Sequence, residues 1–253
     1  MAARYFIQLA YRGTHFHGWQ QQPNGTSIQS VLSEILTVYF RSPVKVTGAG
    51  RTDAGVHAEC YFAHFDLPEK IIPVDSGKVI YHLNCLLPQD IAVYSILPVN
   101  EDANSRFDAI SRTYEYRISR RKEPFLQDLV HVYEGPLDVK AMNDAAKLLL
   151  AVSDFNAFAK SKSDAATSIC RVSHALWKDD GPLLIFTITA DRFLRNMVRA
   201  VVGTLMDVGR GRTSIADFTA IVTSGNRCNA GYSVPACGLF LTGITYPDSI
   251  FIR

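Results

Sequence analysis

Between two extended segments lies the run Gly48-Ala49-Gly50-Arg51-Thr52-Asp53-Ala54-Gly55-Val56-His57-Ala58, with one acid and one base two residues apart among small neighbours. Small residues let a backbone approach something bulky, and they leave a confined space in which a single carboxylate can act as a nucleophile. A plainer reading also exists: a tight strand connection whose Asp caps a turn accounts for most Gly-Asp loops. The glycine spacing is not Gly-x-Gly-x-x-Gly and no Gly-Lys-Ser/Thr follows, so a phosphate cradle fits poorly. A hydrolase with paired carboxylates fits no better, because Asp53 has no acidic partner inside the motif. His15 and His17 form the close histidine pair, but no Cys or carboxylate stands beside them at ligand spacing, so they read as structural or surface residues.

The elements that must carry this loop are legible from periodicity. Arg4 to Ala10 reads as a strand, and a helix begins near Ser27 with Ile28, Val31, Leu32, Ile35, Leu36 and Tyr39 at helical spacing. Val44 to Thr47 reads as a short strand, Glu59 to Asp66 as a second extended run, Asp75 to Leu86 as a helix, and Ile91 to Val99 as a strand. The order is β-α-β-β-α-β, the ferredoxin-like arrangement. The second half repeats it: strand Thr113 to Ser119, helix Val139 to Ala151 capped by Asp138, strands Arg171 to Trp177 and Leu183 to Ala190, helix Leu194 to Val208, an added helix Ser214 to Thr223, and strand Leu239 to Thr245. The expected fold is therefore α+β: two tandem ferredoxin-like halves, 1–104 and 105–253, with mixed, mainly antiparallel sheets and a cleft between them. The polar stretch Asp102 to Ser105 marks the division.

Composition narrows the class further. Across 253 residues, 47% are hydrophobic and 20% charged, which excludes disordered, collagenous and coiled-coil chains. No window holds the roughly 18 apolar residues of a membrane span, and Met1-Ala2-Ala3-Arg4-Tyr5 leads straight into a strand pattern, so a cytoplasmic protein is expected. Five scattered cysteines without a Cys-x-x-Cys pair argue against disulfides and zinc, and most of them read as small buried hydrophobes. Net charge is only +2, so a nucleic-acid partner would require the basic residues to gather on one face. Two stretches are candidates: Arg106, Arg112, Arg117, Arg120, Arg121 and Lys122, and then Arg192, Arg195, Arg199, Arg210 and Arg212. A solvated charged face accounts for any one of them taken singly.

The run Gly50-Arg51-Thr52-Asp53-Ala54-Gly55-Val56-His57 resembles the signature of the tRNA pseudouridine synthase A family. Other segments resemble that family in the same order: Tyr11-Arg12-Gly13-Thr14-His15-Phe16-His17-Gly18-Trp19-Gln20, Leu83-Asn84-Cys85-Leu86-Leu87-Pro88, Arg106-Phe107-Asp108-Ala109, Arg112-Thr113-Tyr114-Glu115-Tyr116, Arg192 through Gly203, and Pro235-Ala236-Cys237-Gly238-Leu239. Cys60-Tyr61 and Arg12, where an acid is common, depart from the pattern and bear on local packing alone.

The resemblance implies an isomerase that converts uridine to pseudouridine at positions 38, 39 and 40 of the tRNA anticodon arm, with Asp53 as nucleophile and no metal or other cofactor. A carboxylate in a dry pocket is disfavoured in its charged form unless a cation faces it, and Arg199 matches the family's active-site arginine, beside Phe193, Met197, Val198 and Val201. Tyr114 matches the tyrosine that touches the target base, while Tyr116, two residues along the same strand, reads as sheet packing. Arg51 matches the arginine that fills the space left by the flipped base. The family is typically a homodimer in which one tRNA contacts both subunits. Without the resemblance, tandem ferredoxin-like units would suggest a non-catalytic RNA-binding protein, but no RRM-type aromatic run occurs in the strands.

Overall fold

The computed structural model describes residues 3–68, 76–160 and 167–252, and the chain packs as two compact units, Met1–Ile110 with Leu241–Arg253, and Ser111–Phe240. In the first unit, β1 (Ala3–Tyr11) is followed by α1 (Ile28–Phe40), β2 (Thr47–Gly48), β3 (His57–Leu67), α2 (Gly77–Leu86) and β4 (Ile91–Val99). β1 pairs antiparallel with β3 on one side and with β4 on the other, and β2 pairs with β3. The last strand of the chain, β9 (Leu239–Thr245), lies next to β3.

β1 and β3 carry large apolar side chains on both faces because both faces of their sheet are covered. On one face Tyr5 stacks on Phe65 at 5.7 Å and Phe40 of α1 stands 6.1 Å from Phe65. On the other, Phe6 and Phe62 meet Tyr246 at 5.1 and 5.3 Å, and Phe251 meets Phe6 at 6.0 Å. This second layer explains why residues beyond Leu241 pack with the first unit, whereas the sequence alone grouped 105–253 together. The division falls after Ile110 rather than near Asp102 to Ser105, because Ala103 and Ala109 pack into the same aromatic cluster.

α1 starts where Ser27 supplies a cap: its Oγ accepts from Ser30 N, and Ser30 Oγ accepts from Ser27 N, both at 3.1 Å. The Val44 to Thr47 strand shrinks to Thr47–Gly48. Val44 N instead donates to Thr37 Oγ1, and the Val46 carbonyl accepts from Gln29 Nε2, so this segment spends its backbone on α1 side chains. Asp75, the expected start of the next helix, lies outside the described residues.

The second unit contains β5 (Ser111–Ser119), β6 (His131–Val132), α3 (Val139–Leu148), β7 (Val172–Asp180), β8 (Leu183–Ala190), α4 (Met197–Gly209) and α5 (Ile215–Ser224). β8 lies between β5 and β7 and is antiparallel to both. Asp138 accepts from Ala141 N at 2.9 Å and starts α3, which tightens into a 3-10 turn over Leu149–Ala151. α4 begins at Met197 rather than Leu194, because Asn196 holds a left-handed conformation (φ 66°) that interrupts the helix. Of the five cysteines, all unbridged, only Cys170 is buried, which pushes its thiol up to about 11; Cys85 and Cys228 are exposed, contrary to the apolar core role expected for most. Among the described residues no helix is long and apolar enough to cross a membrane.

His64, 7% exposed, accepts at Nδ1 from Ser105 N at 3.2 Å, and burial holds its imidazole below the ordinary value of 6.5. The unfolded chain therefore binds protons more readily than the folded one, so stability is complete above about pH 6.5 and falls as pH drops below it. Urea unfolding should show the midpoint falling from pH 7 to pH 5, with a shallower slope in His64→Gln. Some slope will remain, since burial holds His131 down in the same way. Identical slopes in the two proteins would rule this out.

Candidate active site

In the first unit, the loop around Asp53 is held by its neighbours from both ends. After β2, Ala49 N donates to the Phe62 carbonyl at 2.9 Å, and the Tyr61 hydroxyl bonds both the N–H and the carbonyl of Gly50. Trp19 stacks on Tyr61 at 4.1 Å, and Tyr11, 5.5 Å from Tyr61, sets its hydroxyl 2.8 Å from Thr52 Oγ1. Trp19 N donates to the Thr52 carbonyl. Beyond Asp53 a turn closes as Val56 N donates to the Asp53 carbonyl, with Gly55 at φ 79°. The Gly13 N–H donates to His57 Nδ1 at 3.0 Å, which fixes that nitrogen as an acceptor.

Close backbone approach completes the clamp. A Cβ on Gly13 would overlap the Val56 carbonyl, one on Gly18 the Thr52 carbonyl, and one on Gly48 the Trp19 ring and Tyr61 hydroxyl. Thr52 is buried, Asp53 half-buried and Arg51 exposed. The result is a closely held loop that alternates an exposed cation, a buried hydroxyl and a half-buried carboxylate. Trp19, Tyr61 and Tyr11 were not assigned to the site from sequence. Tyr61 stood out only as a departure from the family pattern, and the glycines of the opening motif were the signal that its backbone must run close to another segment.

In the second unit, Tyr114 and Arg199 lie on β5 and α4. Tyr114 is half-buried, with Phe193 edge-on at 5.1 Å. Tyr116 is fully buried and its hydroxyl donates to the Pro235 carbonyl at 2.9 Å, which agrees with a packing role; burial raises its phenol far above the ordinary value. Arg199 is half-buried and its Nε donates to the Val234 carbonyl at 2.7 Å, while Val234 N donates back to the Arg199 carbonyl. The segment 230–234 is laid along α4: Gly231 N donates to Thr204 Oγ1, and Gly203 faces the Tyr232 carbonyl with no room for a Cβ. Arg227 fastens this strap through the Ala230 and Gly231 carbonyls and Ser233 Oγ, to which Asn196 Nδ2 also donates.

Several members of the two basic stretches have acidic partners. Arg117 pairs with Glu115 at 2.8 Å under the Phe240 ring, Arg120 with Asp179 at 2.7 Å, Arg121 with Glu123 at 2.5 Å, and Arg210 with Asp207 at 3.1 Å. Among the described residues no three His, Cys, Asp or Glu side chains converge in a way that could hold a metal ion.

A family model described as tRNA pseudouridine synthase matches residues 7–108 and 145–247. Similar proteins carry the name tRNA pseudouridine synthase A. The one from Parabacteroides distasonis is 50% identical over 251 residues, and the one from Bacteroides fragilis 52% identical over 249, each alignment covering 98% of both chains. The Geobacillus kaustophilus protein is 34% identical over 100% of this chain and 98% of its own.

Gly48→Ala and Gly203→Ala each force a Cβ into occupied space, and such overpacking costs about 1–3 kcal/mol. Both should lower the thermal midpoint clearly. Gly50→Ala, where a Cβ meets nothing within 4 Å, should change it much less. Circular-dichroism melts of the three variants check this, and equal midpoints would show that the clamp has slack.

Proposed function

The chain belongs to the tRNA pseudouridine synthase family, as an isomerase acting on tRNA, and we propose that it converts uridines at positions 38, 39 and 40 of the anticodon arm through attack by Asp53. The observation that carries this reading is the Arg51-Thr52-Asp53 loop, which holds one half-buried carboxylate on a backbone tied down by hydrogen bonds and close glycine contacts. In the reaction the N1–C1′ bond breaks, the uracil turns, and a C5–C1′ bond forms. The hydrogen leaves C5 and N1 gains one, so no atom is added or lost. Asp53 attacks covalently, at C6 of the base or C1′ of the sugar, and divides one difficult step into two.

Other side chains take the remaining tasks in this reading. A paired uridine must leave its stack before the carboxylate can reach it, at a cost of roughly a few kcal/mol. The exposed guanidinium of Arg51 enters the space left behind. Tyr114 lays its ring on the extruded uracil and its hydroxyl assists proton movement at C5. Arg199, its Nε already committed to the Val234 carbonyl, supplies the cation that an ionised carboxylate needs in a dry pocket. Each unit is read as ferredoxin-like, supported by the order β4-β1-β3 with β2 on β3 and by the order β5-β8-β7. The reading extends to a cytoplasmic homodimer, since a net charge of +2 is small for one chain holding a large polyanion.

Asp53→Asn should abolish pseudouridine formation while leaving tRNA affinity within about threefold, because affinity rests mainly on phosphate contacts. Tritium release from C5-labelled tRNA together with filter binding measures both, and appreciable turnover by this variant would remove Asp53 from the nucleophile role.

Arg199→Ala should cut the single-turnover rate on the order of a hundredfold, the scale of losing one preorganised charge, with a far smaller effect on binding. Arg199→Lys should recover part of the rate, having the charge without the planar fork. A variant that binds tRNA weakly yet turns over normally once saturated would make Arg199 a phosphate contact instead.

A further inference from the structure

Phe107 belongs to a motif that the catalytic reading leaves unused, and its ring is 75% exposed. Exposure alone is ordinary, since single apolar side chains often face water and Phe125 is more exposed still. What separates Phe107 is the frame built to hold it. Asn104 Oδ1 accepts from the backbone N–H groups of Arg106 and Phe107 at 2.9 and 3.3 Å, Asp108 Oδ2 accepts from Asn104 N at 2.7 Å, and Asp108 N donates to the Asn104 carbonyl at 3.0 Å. Ser105 is fully buried: its Oγ donates to the Thr47 carbonyl at 3.0 Å, and its own carbonyl accepts from the Tyr246 hydroxyl at 2.5 Å. On the far side Ala109 packs into the aromatic core and Ile110 N donates to the Thr245 carbonyl. The turn is thus fixed on both flanks of an apolar ring held in water, with the Arg106 guanidinium 5.3 Å from the ring centre.

The same frame is bonded to the strand that leads into the Asp53 loop. Thr47, bonded to Ser105, opens β2, and the chain runs from there directly into Gly50-Arg51-Thr52-Asp53. A nucleotide next to an extruded uridine loses a stacking partner, and an aromatic face can replace it whatever the base. A guanidinium beside that ring can meet the adjoining phosphate. We propose that Phe107, with Arg106, is a stacking platform for a nucleobase flanking the target uridine. This rests on the reading of function given above and adds to it a subsite for the neighbouring nucleotide.

The test is a set of three substitutions, Phe107→Ala, Phe107→Leu and Phe107→Trp, assayed for tRNA affinity, KM and saturated single-turnover rate, with the association state followed by sedimentation. The side chain is exposed, so all three should fold. Phe107→Ala and Phe107→Leu should each raise Kd and KM roughly tenfold, within the range that one base–aromatic stack is worth, with the saturated rate within about twofold. Phe107→Trp should stay close to the unsubstituted protein. The platform falls if Phe107→Ala binds normally, or if Leu restores affinity as well as Trp, which would mean apolar packing without stacking. It falls also if Phe107→Ala changes the association state, since the ring would then serve a contact between copies. Pseudouridine formation by the unsubstituted protein is measured alongside: its absence overturns the functional reading and the platform together, whereas normal formation with an unaffected Ala variant overturns the platform alone.

Discussion

Gly13, Gly18 and Gly48 bring neighbouring segments closer to the loop around Asp53 than any side chain would permit, and the geometry of the first unit follows from that proximity. Because a Cβ at these positions would meet carbonyl oxygens or the Trp19 ring, the opening motif and the loop can only seat one against the other as bare backbone. The aromatic trio Tyr11, Trp19 and Tyr61 then closes over the junction, and two of its hydroxyls reach polar atoms of Gly50 and Thr52. A carboxylate carried on such a loop has little backbone freedom left to lose, since the ordering has been done in folding.

Much of this was legible in the residues, and the gaps have physical causes. The ends of α1 and α3 follow from Ser27 and Asp138, whose side chains act within one turn, so local sequence suffices. The start of α4 was misplaced because nothing local announces that Asn196 will turn left-handed; its side chain answers to Ser233, far along the chain. Val44 and Val46 look like strand residues but pack beneath α1, a choice made by tertiary hydrogen bonds. Asp53 stood out because its neighbours are small and charged. The roles of Tyr61 and Gly203 are not legible in the sequence, because each depends on a partner that periodicity cannot name.

The second unit uses the same device with a different cargo. Gly203 lets the 230–234 strap lie against α4, and the strap's Val234 carbonyl orients the Nε of Arg199. Around it, charges divide into two kinds. Arg210, 12% exposed and set against Asp207, Tyr133 and Tyr232, is part of the packing. Arg120 and Asp179, each over 40% exposed, form the kind of surface pair that contributes little, so exchanging the carboxylate for a phosphate costs little.

The aromatic layer that Tyr246 and Phe251 lay over Phe6 and Phe62 has a consequence for how the molecule is made. Synthesis delivers the Asp53 loop early, together with β1, β3 and β4, but the segment that covers one face of that sheet emerges only after the whole of the second unit. A nascent chain therefore carries the Asp53 loop on a half-covered sheet, with Phe6 and Phe62 uncovered on that face, until the second unit has passed the ribosome. The order of translation makes the first unit the last to be finished.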